Sequence, residues 1–137
     1  MKPKLILMSH GKMAYETLQS AQMITGELND IYVVSMDAED GLDGTRAKYN
    51  KVLEELGDTP AVVAVDLFGG TPFNVASMTS LNDATKKIIT GLNLAMVIEY
   101  SVSTIEDVSA LANQLLDTGR MAVQTVGDDD DDCEIDE

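Results

Sequence analysis

The chain of 137 residues contains one cysteine, one histidine, three prolines and no tryptophan, and only 4% of it is aromatic. A lone thiol, Cys133, forms no intramolecular disulfide, and without further cysteines no Cys-rich zinc site can be built. So few aromatic rings leave little to stack on a flavin, and neither Gly-x-Gly-x-x-Gly nor a Walker loop occurs. Basic residues are scarce too: 9 Lys and Arg stand against 24 Asp and Glu, a formal net charge of −15. Residues 128–137 hold eight of those acids and no base, which leaves 16 acids against 9 bases, or −7, in residues 1–127. Neither figure suits a nucleic-acid binder or a protein that docks on an anionic membrane. The N-terminal Met1-Lys2-Pro3-Lys4 precedes only four apolar residues, too few for a signal-peptide core, and no run approaches a membrane span. A reduced, cytoplasmic protein is expected, with no metal and no cofactor. A content of 45% apolar and 24% charged residues is that of a globular chain, and the length suits one domain. That domain is expected over residues 1–127, with 128–137 a disordered acidic tail.

What is present alternates. Residues 4–8, 31–36 and 60–65 are short apolar runs of the kind that form strands buried on both faces, and 87–91 reads as a fourth strand. Between them lie helical patterns: Ala14, Leu18 and Ala21 before Gly26, and an imperfect apolar face of Ala47, Val52 and Leu56 after an acidic loop at 37–43. Thr71 as N-cap and Pro72 in the first turn predict a helix over about 73–81. Residues 93–102 suit a helix or a strand equally well. Ser103-x-x-Glu106 has a capping-box spacing, which predicts a last helix carrying Ile105, Val108, Leu111, Ala112 and Leu115 and ending at Gly119. Residues 121–126 read as a final strand. This order predicts an α/β fold: an open, mostly parallel, doubly wound sheet with helices on both faces.

In such sheets ligands bind beyond the carboxyl ends of the strands, where the strand order reverses. Two turns there carry chemistry. The first holds His10, and the second holds Asp66 followed by Gly69, Gly70, Thr71 and Pro72. If strands one and three are neighbours, both turns face one crevice. A neutral imidazole offers a nucleophilic nitrogen near pH 7 without an added base. A carboxylate on its other nitrogen sets the tautomer and stabilises the positive charge that builds during attack. Glycines permit close approach of the backbone, and a helix start favours a phosphate dianion. Ser9 and Thr71 can each add a hydroxyl hydrogen bond. Taken singly, a histidine in a turn, an aspartate at a strand end and a Gly-Gly-Thr-Pro turn are more often structural than functional. Together they describe a phosphohistidine site.

These residues bring a specific resemblance into view. Ser9-His10-Gly11, Asp66-Leu-Phe-Gly-Gly-Thr-Pro-Phe-Asn74, Gly91-Leu-Asn-Leu-Ala-Met-Val-Ile-Glu99 and Thr118-Gly119-Arg120 resemble the IIA component of the mannose-family sugar phosphotransferase system (PTS, EIIA-Man type). The resemblance covers about residues 4–126. It implies a phosphocarrier that accepts a phosphoryl group from phospho-HPr, itself charged by enzyme I from phosphoenolpyruvate. The group would pass to a histidine of the IIB component, which serves the IIC/IID membrane complex. By position, His10 matches the phosphorylated histidine, reacting through Nε2, and Asp66 the acid on its other ring nitrogen. Gly69, Gly70 and Thr71 match the phosphate-binding turn. The resemblance also implies a homodimer in which a last, antiparallel strand, here 121–126, is exchanged between subunits. Met13, Phe68 and Phe73 are candidate apolar contacts for the partners, and IIB is expected on a separate polypeptide. Two rivals share His10: the phosphotransferase subunit of a phosphoenolpyruvate-dependent dihydroxyacetone kinase, and a regulator that signals by its phosphorylation state.

Overall fold

The computed structural model describes residues 1–127, so the acidic tail and Cys133 lie outside the described residues. Nine elements follow in order: β1 (Lys4–His10), α1 (Met13–Thr25), β2 (Ile31–Met36), α2 (Gly41–Leu56), β3 (Ala61–Val65), α3 (Thr71–Ser80), β4 (Lys86–Thr90), α4 (Leu94–Val102) and α5 (Val108–Met121). The four strands form one sheet in the order β2-β1-β3-β4, and every pairing is parallel. The chain moves outward from β1 to β2, then returns across it to β3. The order therefore reverses between β1 and β3, the neighbours on which the predicted crevice depended.

Alternation along the strands makes two cores. Leu5, Leu7, Val62, Ala64 and Ile89 pack with Ala14, Ala21, Val97, Tyr100, Leu111 and Leu115, which joins α1, α4 and α5 to one face. Ile6, Met8, Val63 and Val65 pack with Tyr49, Leu56, Val75 and Ala76, which joins α2 and α3 to the other. Successive side chains of a strand point to opposite faces, so a strand covered on both sides must be apolar throughout. Each large aliphatic side chain buried this way stabilises the fold by roughly 1.5–3 kcal/mol. Among the described residues, no helix is long and apolar enough to cross a membrane.

Several predicted boundaries move. The ambiguous segment is helical, because Asn93 caps α4 by accepting the Met96 N–H at 3.2 Å. Helix α2 begins at Gly41, inside the expected acidic loop, and turns Thr45 and Tyr49 inward while Ala47 stays exposed. Polar inward residues explain the poor apolar pattern: Thr45 Oγ1 donates to the Gly41 carbonyl at 2.7 Å, and the Tyr49 hydroxyl pairs with that of Ser80 at 2.7 Å. The expected capping box does not form. Ser103 ends α4 instead, its Oγ donating to Gln114 at 2.6 Å, and Asp107 caps α5 through the Ala110 N–H at 2.9 Å. Helix α5 then runs through Gly119 to Met121. Gly119 packs against α4, where an added Cβ would lie 2.6 Å from Met96 Cε. Residues 122–126 form no strand within the single chain.

Candidate functional site

His10 is the last residue of β1 and Asp66 the first after β3. The parallel register between Met8 and Val65 dictates how they meet. The Asp66 N–H donates to the Met8 carbonyl at 3.0 Å, the last rung of the backbone ladder. In a parallel ladder the next N–H along β1, that of His10, would reach the Asp66 carbonyl. It reaches the side chain instead: the His10 N–H donates to Asp66 Oδ2 at 2.9 Å. The same oxygen lies 2.8 Å from His10 Nδ1. An oxygen already accepting from the backbone is an acceptor, so Nδ1 carries a proton, and in the neutral ring it is Nε2 that keeps the lone pair. The imidazole is 48% exposed while the Asp66 side chain is 10% exposed. A largely buried carboxylate thus holds a half-exposed ring whose Cε1–Nε2 edge lies beside Gly70. Asp66 Oδ1 is buried without a partner among the described residues.

The opposite wall is the start of α3. Gly70 is its N-cap residue in an extended conformation, no side chain caps the helix, and Pro72 occupies its first turn. At such a start the N–H groups of Thr71 and Phe73 have no acceptor within the helix. Pro72 has none to offer. Thr71, expected as the N-cap, is the first helical residue, so its N–H stands at the helix mouth. The open N–H groups and the helix dipole make this mouth attractive to an anion. Gly69 carries a φ of +89°, which lets the chain turn from Phe68 into the helix, and Gly70 lies directly against the His10 ring.

Ser9 is placed differently from the expectation. Its side chain is fully buried, and its Oγ accepts the Ala14 N–H at 2.7 Å and donates to the Gly11 carbonyl at 3.4 Å. It closes the start of α1 rather than facing the ring. Around the site, Phe68 and Met13 are exposed, and Phe73 is half-buried with its ring 4.6 Å from that of Phe68. Leu67, exposed beside Phe68, was missed. Its signal was two large apolar residues side by side in a glycine-rich turn, where no regular element can bury both. Among the described residues, no group of three or more His, Cys, Asp or Glu side chains is arranged to hold a metal ion. A cavity of about 260 Å³ opens at the end of β4, between Thr90, Asn93, Met96 and Arg120, and no residue of the histidine site lines it.

The comparisons with known proteins place the chain that carries this arrangement in a family. The model of the EIIA-man family, the PTS system fructose IIA component, matches residues 4–119, and the chain belongs to that family. It is 54% identical to the mannose/sorbose-specific IIA subunit of the phosphotransferase system from Enterococcus faecalis. That likeness has a TM-score of 0.89 and covers 95% of this chain and 98% of that one. It is 29% identical to the fructose-specific EIIA component of Bacillus subtilis, over 88% of this chain and 82% of the relative. Identity is also 29% to the mannose-specific EIIAB component of Escherichia coli K12, over 89% of this chain. The match spans only 39% of that longer relative's length.

Proposed function

We propose that this chain is a phosphocarrier of the sugar phosphotransferase system, taking a phosphoryl group from phospho-HPr on His10 and passing it to a histidine of the IIB component. The observation that carries the reading is the pair of bonds from His10 to one oxygen of Asp66, which in the neutral ring leaves the lone pair on Nε2, beside Gly70 at the start of α3.

The step is an exchange of one N–P bond for another. The Nε2 lone pair attacks phosphorus as the donor's N–P bond breaks, and the donor imidazole keeps that bonding pair. The Nδ1 proton stays in place, and the Asp66 carboxylate stabilises the charge that spreads over the phosphorylated ring. The phosphoryl oxygens are received by the N–H groups of Thr71 and Phe73 and by the Thr71 hydroxyl. Gly70 keeps that approach free of a side chain, and Gly69 lets the backbone turn into it. Both histidines are chemically alike, so the transfer is near balance and catalysis is a matter of positioning and electrostatics. Ser9 belongs to the site by shaping the turn that carries His10.

The apolar rim of Met13, Leu67 and Phe68 suits successive docking of HPr and IIB, which serves the IIC/IID membrane complex. The carrier domain spans residues 1–127 and works in the cytoplasm, docking transiently at the membrane complex. A homodimer fits the outer edge of β4, which pairs with no further strand among the described residues. Residues 121–126, rich in β-branched side chains and exposed, suit an antiparallel strand added to the partner's edge.

The test is intact-protein mass spectrometry after incubation with phosphoenolpyruvate, enzyme I and HPr. One acid-labile phosphoryl adduct is expected on the wild type and none on His10→Ala, with the adduct discharged on adding IIB. Charged HPr beside an unmodified wild-type chain would refute the reading. An adduct discharged only by the nucleotide-bearing subunit of a dihydroxyacetone kinase would reassign the acceptor.

A further inference from the structure

We infer that Gly70 is a positioning residue for the His10 imidazole: its missing side chain leaves the space that the ring occupies while bonded to Asp66. The inference deepens the proposed phosphoryl transfer and rests on that reading for its kinetic consequence. Its geometric content stands apart from it.

The two glycines of the turn are needed for different reasons. Gly69 has a φ of +89°, yet a Cβ built on it would meet nothing within 4 Å, so its glycine serves the backbone. Gly70 is the reverse. Its φ of −80° and ψ of 176° are open to every residue. A Cβ there, however, would lie 2.7 Å from His10 Cε1 and 3.3 Å from His10 Nε2. The first of these distances is shorter than real Cβ contacts allow. Gly70 therefore excludes a side chain because of one neighbour, the ring edge that carries the reactive nitrogen.

The ring is held on two sides. Nδ1 is tied to Asp66 Oδ2 at 2.8 Å, and the Cε1–Nε2 edge rests against the Gly70 backbone. A methyl group at position 70 can be relieved only by rotating the imidazole or by moving the start of α3. The imidazole is 48% exposed, so rotation into solvent disturbs little else. That rotation takes Nδ1 off Asp66, frees the ring to exchange tautomers, and swings Nε2 from the mouth of α3. Relief is thus mild for the fold and severe for the site.

The experiment uses the whole chain carrying Gly70→Ala or Gly70→Ser, with serine retaining a good helix cap. Imidazole ¹⁵N NMR reads the tautomer without any phosphoryl donor, and steady-state transfer from phospho-HPr separates kcat from KM. Both variants are expected to fold with unchanged circular dichroism. Their single Nδ1–H tautomer should give way to an averaged pair of nitrogen shifts, and kcat should fall at least tenfold with KM for phospho-HPr unchanged. An intact tautomer in both folded variants overturns the inference, even if transfer slows, because glycine then serves only the incoming phosphate. A wild-type chain that is never phosphorylated, but whose tautomer is lost in the variants, would refute the carrier function and leave the positioning role standing.

Discussion

Two turns at the same end of the sheet lead from neighbouring strands into helices, and they are finished in opposite ways. After β4, the Asn93 side chain accepts the Met96 N–H and donates to the Gly119 carbonyl at 3.0 Å, so one residue caps α4 and ties it to α5. After β3, no side chain caps α3, Pro72 has no N–H to offer, and Asp66 keeps one buried oxygen without a partner among the described residues. The first turn spends its polar groups on itself, whereas the second directs an aspartate at a histidine and leaves a helix mouth open. The same secondary-structure junction can be a fastener or a site. The difference lies in whether its donors are satisfied from within the chain.

The contrast can be broken at either turn, and the largest effect is expected at the open one. Asp66→Asn leaves a single acceptor oxygen where the carboxylate had two and lets the amide donate toward Nδ1, which favours the tautomer with Nε2 protonated. Phosphorylation by phospho-HPr should slow by about 10²- to 10⁴-fold, measured by rapid-quench kinetics. A rate within threefold of wild type would mean that the carboxylate serves only the backbone. At the closed turn, Asn93→Ala removes a cap and a tie between helices. Urea unfolding should show a loss of about 1–2 kcal/mol. His10 phosphorylation should be unchanged, and a variant that is stable but slow would undo the division between the two turns.

A third turn sharpens the comparison with the smallest effect. Between β2 and α2, Lys48 Nζ donates to the Ser35 carbonyl at 2.8 Å and to Asp40 and Asp37 at 2.7 and 3.1 Å. The Asp40 carboxylate also accepts the Asp37 N–H at 2.7 Å. The hydrogen bond from Lys48, followed by that from Asp37, holds the Asp40 carboxyl below the ordinary 3.8. Chiefly through Asp40, the Lys48 ammonium is raised above its ordinary 10.5. A depressed carboxyl contributes stability above its unfolded value and loses it as pH falls through the folded one. The amide protection factor of Asp37 should therefore stay level around neutrality and decline only below pH 3.8, as read by hydrogen exchange. Decline already near neutrality would show that this latch is not the acid-sensitive part of the turn.

Much of this was legible in the chain itself. The uninterrupted apolar runs of β1 and β3 identify strands covered on both faces, because nothing polar can occupy such a position without a partner. The pairing of His10 with the Asp66 turn followed from two chemistry-bearing turns at strand ends, once strand order was assumed. Less legible were the helix ends. Ser103 and Asp107 are both good caps four residues apart, and only the close of α4 at Ser103, with its hydroxyl drawn to Gln114, left Asp107 to begin α5. The segment 93–102 has no apolar period to read, since α4 buries Met96, Val97 and Tyr100 and leaves other apolar residues at its surface. Ser9 carried the right residue type for a phosphate contact, but its hydroxyl was claimed by the start of α1.

Sequence alone determined the class of fold and named the residues of the candidate site, because alternating burial and turn chemistry are local properties that each segment carries with it. Only the tertiary structure decided the roles. The register of β1 against β3 brought the Asp66 carboxylate to both the backbone and the ring of His10. The close approach of α3 turned Gly70 from a flexible residue into a space reserved for an imidazole. Such roles depend on distances between segments more than fifty residues apart, and no local pattern records a distance.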